Sequence, residues 1–349
     1  MTAADLIPVD IVTGFLGSGK TTLLQRLLAF PALARTAVLV NELGEVGLDH
    51  LLLRHVDETT VVLPSGCVCC AIRDDLRAAI RDLYGKREQG TIPRFDRLAI
   101  ETTGLADPAP IIFTLMADPV LRHHFRVGNV VTTVDVVNGA RQLAQHPEAV
   151  KQVAVADRVV LTKTDLAGRA LAEALRAACR RYNPAAPIFE PAVDPLGPEQ
   201  LFTGDVADPS TQAREARRWL AVEAESAPPP ETAAAEDATR HDRDIHAFSL
   251  TFDRALDWTM FGIWLTMLLH AHGDRVLRVK GMLQVVGVET PVVVHGVQHL
   301  VHPPVHLDGW PTADRGTRLV FIVRKLPRQV IEQSLAAFNR LAAAAERAA

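Results

Sequence analysis

Three thiols stand within four positions, at Cys67, Cys69 and Cys70, in a chain with only four cysteines. Thiolates clustered this tightly favour soft or borderline cations such as Zn²⁺, Cu(I) and Co(II). Three sulfurs leave one tetrahedral position for another ligand. If the segment is extended, Cys67 and Cys69 share a face, and Cys70 points elsewhere unless the backbone turns. The competing reading is a buried or redox-active cysteine cluster. Cys179 falls in the helical pattern LAEALRAACRRY and reads as a structural thiol.

A second group of residues is suited to phosphate. GFLGSGKTT, residues 14–22, fits G-x-x-x-x-G-K-[ST] between an apolar strand and a helix. Gly14, Gly17, Ser18 and Gly19 form a loop whose backbone N–H groups can cradle phosphate oxygens at a helix N-terminus. In that arrangement Lys20 reaches the β/γ-phosphates, the Thr21 hydroxyl ligates Mg²⁺, and Thr22 continues the site. RLAIETTG ends a second apolar run with Glu101, placed as a Mg²⁺-facing acid acting through water. Three residues later, Gly104 can offer its N–H to a γ-phosphate. VVLTKTD resembles the N-K-x-D base reader of GTPases, with Thr162, Lys163 and Asp165. A carboxylate at Asp165 accepts the N1–H and N2–H donors of guanine and leaves an unpaired charge against adenine. Thr162 replaces the motif's Asn, so the amide that braces the loop is expected to be lost.

These residues need a frame. Over 1–203 short apolar runs alternate with helical patterns: IPVDIVTG, KTTLLQRLLAF, TAVLVN, TTVVLP, AIRDDLRAAIRDLYGKRE, RLAIE, NVVTTVD, DRVVLTK and APIFE. That order predicts a P-loop NTPase, a doubly wound α/β domain with a mainly parallel sheet. Residues 204–244 include SAPPPETAAAEDATRHDRD, rich in Pro, Ala and acid, and read as a linker with room for a short helix. Over 245–349 a strand, a helix, strands at RVLRVKG, LQVVGV, VVVHGVQHLV and TRLVFIVR, and a helix from Pro327 predict a smaller α+β domain.

Length and composition agree. The 349 residues suit about two domains, and 48% hydrophobic with 22% charged is an ordinary globular mix. A net charge of −4 with intermixed signs shows no basic face for nucleic acid and no polybasic membrane segment. The apolar stretch 6–16 is too short to span a bilayer and lacks the flanks of a signal peptide. A cytoplasmic, reducing location is expected, where clustered cysteines signify metal or thiol chemistry rather than disulfides.

With TGFLGSGKTTLL, NELGEVGLDH, SGCVCC, ETTGLADPAP, LTKTD, VKG and GVQ, the chain resembles the CobW-type P-loop GTPases from residue 13 to residue 298. The first three stretches together are highly specific. The resemblance implies a GTPase domain followed by a smaller C-terminal domain. It also implies a GTP-dependent metallochaperone using GTP, Mg²⁺ and Zn²⁺ (or Co²⁺, or iron) and serving a client metalloprotein. Glu101 matches the Glu that the wider group has where other GTPases have Asp. Thr162 matches members with Thr in place of Asn. The resemblance favours Cys67 and Cys69 as metal ligands, with Cys70 and Glu45, in the expected switch I loop, as further candidates. Some relatives have an acidic residue proposed as a metal ligand just before Asn41; here it is Val40.

The thiols lie between two segments expected to sense the γ-phosphate, 42–47 and 101–104, so metal affinity is expected to depend on the nucleotide. No residue stands out for positioning the attacking water; Glu42 and Glu45 are the nearest candidates, and slow intrinsic hydrolysis is expected. Asp135 reads as a cap or structural residue. Eight of 13 histidines lie beyond residue 240. His295, His299, His302 and His306 form a cluster, but if His295–His299 is extended their side chains stand roughly 13 Å apart. A solvated or client-facing role is expected over a metal relay. The helix WTMFGIWLTMLLHAH is expected to pack in the core. Self-association is left open. The rival readings are a P-loop ATPase or kinase acting on a small molecule, kept alive by Thr162, and a passive metal buffer, opposed by intact Lys20, Thr21 and Glu101.

Overall fold

Every residue of β1, Ile7–Gly14, is buried. That is the signature of a central strand in a parallel sheet, covered on both faces and therefore apolar almost throughout. A computed structural model describes residues 6–41, 60–63, 69–191, 193–194, 196–202, 245–312 and 315–348. The chain divides into two compact units.

In the first, β1, β2 (Thr36–Asn41), β3 (Thr60–Leu63), β4 (Arg97–Glu101), β5 (Phe125–Asp135), β6 (Arg158–Thr162) and β7 (Ile188–Phe189) form one sheet in the order β3-β2-β4-β1-β5-β6-β7. All its pairings are parallel. The helices are α1 (Lys20–Leu28), α2 (Cys69–Gln89), α3 (Ala109–Ala117), α4 (Pro119–His124), α5 (Gly139–Gln145), α6 (Pro147–Val155), α7 (Arg169–Tyr182) and the short α8 (Pro198–Leu201). Strand alternation sends Val12, Val38, Ala99, Val131 and Val160 to one face, where they pack with Leu23, Leu24 and Leu27 of α1. Ile11, Leu39 and Ile100 lie in one cross-strand row facing the other way, all fully buried.

Register brings the strand ends into line. Gly14 is opposite Thr133, Val40 opposite Glu101, and Asp135 opposite Thr162. In a parallel sheet these carboxyl ends share one edge, where ligands of such folds bind.

The second unit is an antiparallel sheet of β8 (Ile245–Phe252), β9 (Val276–Leu283), β10 (Val292–Val297), β11 (Leu300–Val301), β12 (Val305–His306) and β13 (Thr317–Arg324). Helices α9 (Trp258–His272) and α10 (Arg328–Ala348) accompany it. Asp257 caps α9 by accepting from the Met260 N–H at 2.7 Å. Phe261, Trp264 and Leu268 of α9 join Phe248, Phe321 and Ile331 in one core. The core role expected of α9 therefore holds on that face.

Several elements differ from expectation. Helix α2 starts at Cys69, so the extended geometry weighed for the thiol segment does not extend past that residue. LQVVGV forms no separate strand; its Leu283 ends β9 and its Val285 makes a single bridge to Leu256. VVVHGVQHLV divides into β10 and β11 around Gln298, whose φ of 50° turns the chain. His295 and His299 therefore do not share an extended run. Pro327 precedes α10 rather than occupying its first turn. The expected linker, 204–244, lies outside the described residues. No described helix is long and apolar enough to cross a membrane.

Candidate functional site

The loop between β1 and α1 is shaped by close approach. At Gly14 (φ 144°) a Cβ would sit 2.4 Å from the Thr133 carbonyl oxygen. Gly19, at φ 90°, supplies the left-handed turn that opens α1. Gly17 and Ser18 lie between them, and the Ser18 hydroxyl bonds Thr133 Oγ1 at 2.7 Å. Lys20 is buried and folds over the loop, its Nζ donating to the carbonyls of Gly14 (3.1 Å) and Phe15 (3.3 Å). Thr22 is exposed.

The Thr21 hydroxyl donates to Glu101 Oε1 at 2.6 Å. Two hard oxygen donors thus converge beside a lysine at a helix N-terminus, a donor set that fits Mg²⁺ rather than a softer ion. The backbone leaving Glu101 presses on the phosphate loop. A Cβ on Gly104 would stand 2.7 Å from Leu16 Cα, so only glycine fits there without displacement.

The base-reading segment meets the same loop. Thr162 ends β6, and its hydroxyl donates to the Ser18 carbonyl at 2.6 Å. The amide of the motif's Asn is absent, as expected, and the Thr162 hydroxyl makes its own bond to the phosphate loop. Lys163 adopts φ 57° and donates from Nζ to Asp135 Oδ2 at 2.8 Å. Asp165 is exposed, in a 3-10 turn over Thr164–Leu166. Asp135, nearly inaccessible, also accepts from the Val137 N–H (2.8 Å) and Asn138 Nδ2 (2.9 Å). Burial raises its pKa, but the bonds from Asn138, Lys163 and Val137 outweigh that and hold the carboxyl below its ordinary range. Asp135 closes the turn that follows β5, and its ion pair orients Lys163.

The thiol cluster is described only in part. Cys69 and Cys70 open α2; Glu45 and Cys67 lie outside the described residues. Among the described residues no group of three or more His, Cys, Asp or Glu is placed to hold a metal. Further along, α2 is fixed by Leu76, Ile80 and Leu83, all buried. Its Arg81 donates to Asp118 Oδ2 at 2.7 Å, with Arg77 at 3.5 Å. Asp118 also caps α4, accepting from Val120 and Leu121 N–H. Burial opposes its ionisation, but the Arg81 bond and these backbone donors leave its pKa lowered. Cys179 is fully buried in the core.

In the histidine cluster, the His302 N–H donates to the His295 carbonyl at 2.9 Å across the β10–β11 hairpin, whereas His299 turns away to α9. His295 is buried and therefore not solvated. His299 Nδ1 meets the Leu269 carbonyl (2.9 Å) and its Nε2 meets Asp274 (3.2 Å). His306 is exposed on β12. Sequence reading passed over Gln152 and Asp118, which belong to no nucleotide motif; their only sequence signals are a polar residue in an apolar helix face and an Asp before Pro119.

Residues 8–190 match the family model for the CobW/HypB/UreG nucleotide-binding domain, and residues 245–339 match the cobalamin synthesis protein cobW C-terminal domain. The chain is 32% identical over 336 residues to the zinc chaperone YjiA of Escherichia coli, spanning 96% of this chain and 99% of that one. It is 36% identical over 193 residues to the zinc-regulated GTPase metalloprotein activator 1 of Schizosaccharomyces pombe, covering 53% of this chain and 46% of that protein. The crystal structure of Zn(II)-bound YjiA GTPase from E. coli aligns with a TM-score of 0.66 at 28% identity, over 95% of this chain and 99% of that one.

Proposed function

The chain belongs to the CobW/HypB/UreG family, and on that premise we propose that it is a Mg²⁺-dependent GTPase that binds a transition metal and delivers it to a client metalloprotein. The carrying observation is the convergence at one sheet edge of Lys20, the Thr21–Glu101 pair and the Thr162 brace. Zinc is the first choice of metal, from the names of the relatives, and cobalt the second.

In this reading the loop 14–19 and the N-terminus of α1 hold the phosphates through backbone N–H groups. Lys20 releases the Gly14 and Phe15 carbonyls and meets β/γ-phosphate oxygens, stabilising charge that grows as the bond breaks. Thr21 and Glu101 would hold Mg²⁺, which would supply neutralisation of phosphate charge there. Asp165 reads guanine, with Lys163 held in place by Asp135. The metal is cargo. Cys67, Cys69 and Cys70, with Glu45, form its site, and residues 1–203 and 245–349 act as separate domains joined by 204–244. A cytoplasmic location suits free thiols.

The test titrates Co²⁺ into the protein with GDP or with a non-hydrolysable GTP analogue, each with Mg²⁺. Thiolate ligation gives a near-ultraviolet charge-transfer band. Affinity should be about 5–150-fold higher with the analogue, and the double change Cys67→Ser, Cys69→Ser should remove the band while leaving GTP binding intact. Equal Co²⁺ affinity in both nucleotide states would overturn the delivery mechanism. Equal affinity for ATP and GTP would instead favour a P-loop ATPase or kinase.

A further inference from the structure

Gln152 lies in α6 and is 1% exposed, yet it is polar and belongs to no nucleotide motif. Its Nε2 donates to two carbonyls of the segment that follows Glu101: Gly104 at 3.2 Å and Ala106 at 3.0 Å. A primary amide has two hydrogens, and here each has an acceptor on the same loop. The adjacent Lys151 pairs with Asp107 of that loop at 3.5 Å. Gln152 is itself located by the sheet, because its main-chain carbonyl accepts from Thr132 Oγ1 at 2.8 Å. On its other side the loop abuts the phosphate loop, where Gly104 leaves no room for a Cβ against Leu16. Residues 101–107 are therefore held between the phosphate loop and α6, and α6 leads directly into β6 and Thr162.

We infer that Gln152 is a positioning residue for nucleotide-state discrimination: it fixes the peptide planes of Gly104 and Ala106 so that the loop after Glu101 answers to the γ-phosphate. The inference rests on the GTPase reading. The Ala106 N–H donates to the Thr103 carbonyl at 3.1 Å, and because a trans peptide is planar that bond sets the direction of the Gly104 N–H, the candidate donor to the γ-phosphate; Gln152, holding the Gly104 and Ala106 carbonyls, keeps this turn in place. Freed carbonyls in a buried setting would be re-satisfied by moving the loop, because leaving them unpaired is costly. GDP, which lacks the γ-phosphate, should not depend on this anchor.

The experiment measures GDP and a non-hydrolysable GTP analogue on the full chain with Mg²⁺, for wild type and Gln152→Met. Met keeps the volume and removes both donors. The ratio of analogue affinity to GDP affinity should fall at least about fivefold, with GDP affinity itself within about twofold of wild type. An unchanged ratio in the folded variant overturns the inference. So does an equal loss for both nucleotides, which would make Gln152 a scaffold residue. If Gln152→Met does not fold, Gln152→Asn draws the amide back by one methylene and is read by the same ratio. Wild type that binds no guanine nucleotide, or ATP as well as GTP, would sink the GTPase reading itself; normal wild type with an unaffected variant sinks only the role of Gln152.

Discussion

Thr162 carries a brace with one hydroxyl, 144 residues away from its acceptor. Losing a buried hydrogen bond costs about 1 kcal/mol or more, so Thr162→Val should weaken GTP binding about five- to tenfold. Thr162→Ser, which keeps the hydroxyl, should stay close to wild type; equal effects from both would show that the bond does not matter. Asp165→Asn should shrink the preference for GTP over ATP and favour xanthine nucleotides, measured by calorimetric competition. Asp135 allows a pH test. Its native pKa is lowered, so its ionised form favours the fold. That stabilisation is present above the unfolded-state pKa and is lost as pH falls through the lowered native value. The stability difference between wild type and Asp135→Asn, from denaturant titrations, should therefore be largest near neutrality and shrink in acid.

At the scale of elements, α2 matters because it opens with Cys69 and Cys70; buried Leu76, Ile80 and Leu83 fix it, and one carboxylate ties it to α4. Asp118 serves two helices, capping α4 and accepting from Arg81 of α2. The arginine is nearly half exposed, so the ion pair itself contributes little. The cap is buried and worth about 1 kcal/mol. Asp118→Ala should then destabilise by about 1–3 kcal/mol, while Asp118→Asn, which keeps a capping oxygen, should cost less, both read from denaturant midpoints. Strands were legible wherever apolar runs were bounded by polar residues. The β10–β11 hairpin was not, because its turn rests on Gln298 taking φ 50°, which periodicity does not encode.

Across the whole first unit, the two ends of the sheet differ in what their buried polar groups do. At the carboxyl end they converge on the phosphate loop. At the amino end Asp10, fully buried, pairs with Arg97, which also donates to the Phe202 carbonyl at 3.0 Å. Asp10 accepts from the Asn129 N–H at 2.8 Å. Removing the arginine leaves a buried carboxylate without its charge partner. Arg97→Met should therefore cost about 3–5 kcal/mol of stability. The ratio of GTP to ATP affinity should be unchanged in whatever fraction folds. A changed ratio would mean that the two ends of the sheet are not independent.

The residues of the phosphate loop, the acid ending RLAIE and the carboxylate of LTKTD were all visible in the chain, because each depends on a few neighbours: a strand, a glycine turn, a helix start. Pairing across the chain was not visible. Thr162 meets Ser18 over 144 residues, and Gln152 meets Gly104 over 48. These contacts exist because parallel register sets the strand ends level, and parallel neighbours are joined only through long crossover connections, so no local stretch of sequence contains both partners. For the same reason a hydroxyl at position 162 read as a missing amide in the sequence and as a brace in the fold. Whether a side chain reaches its partner depends on where two backbones are brought together.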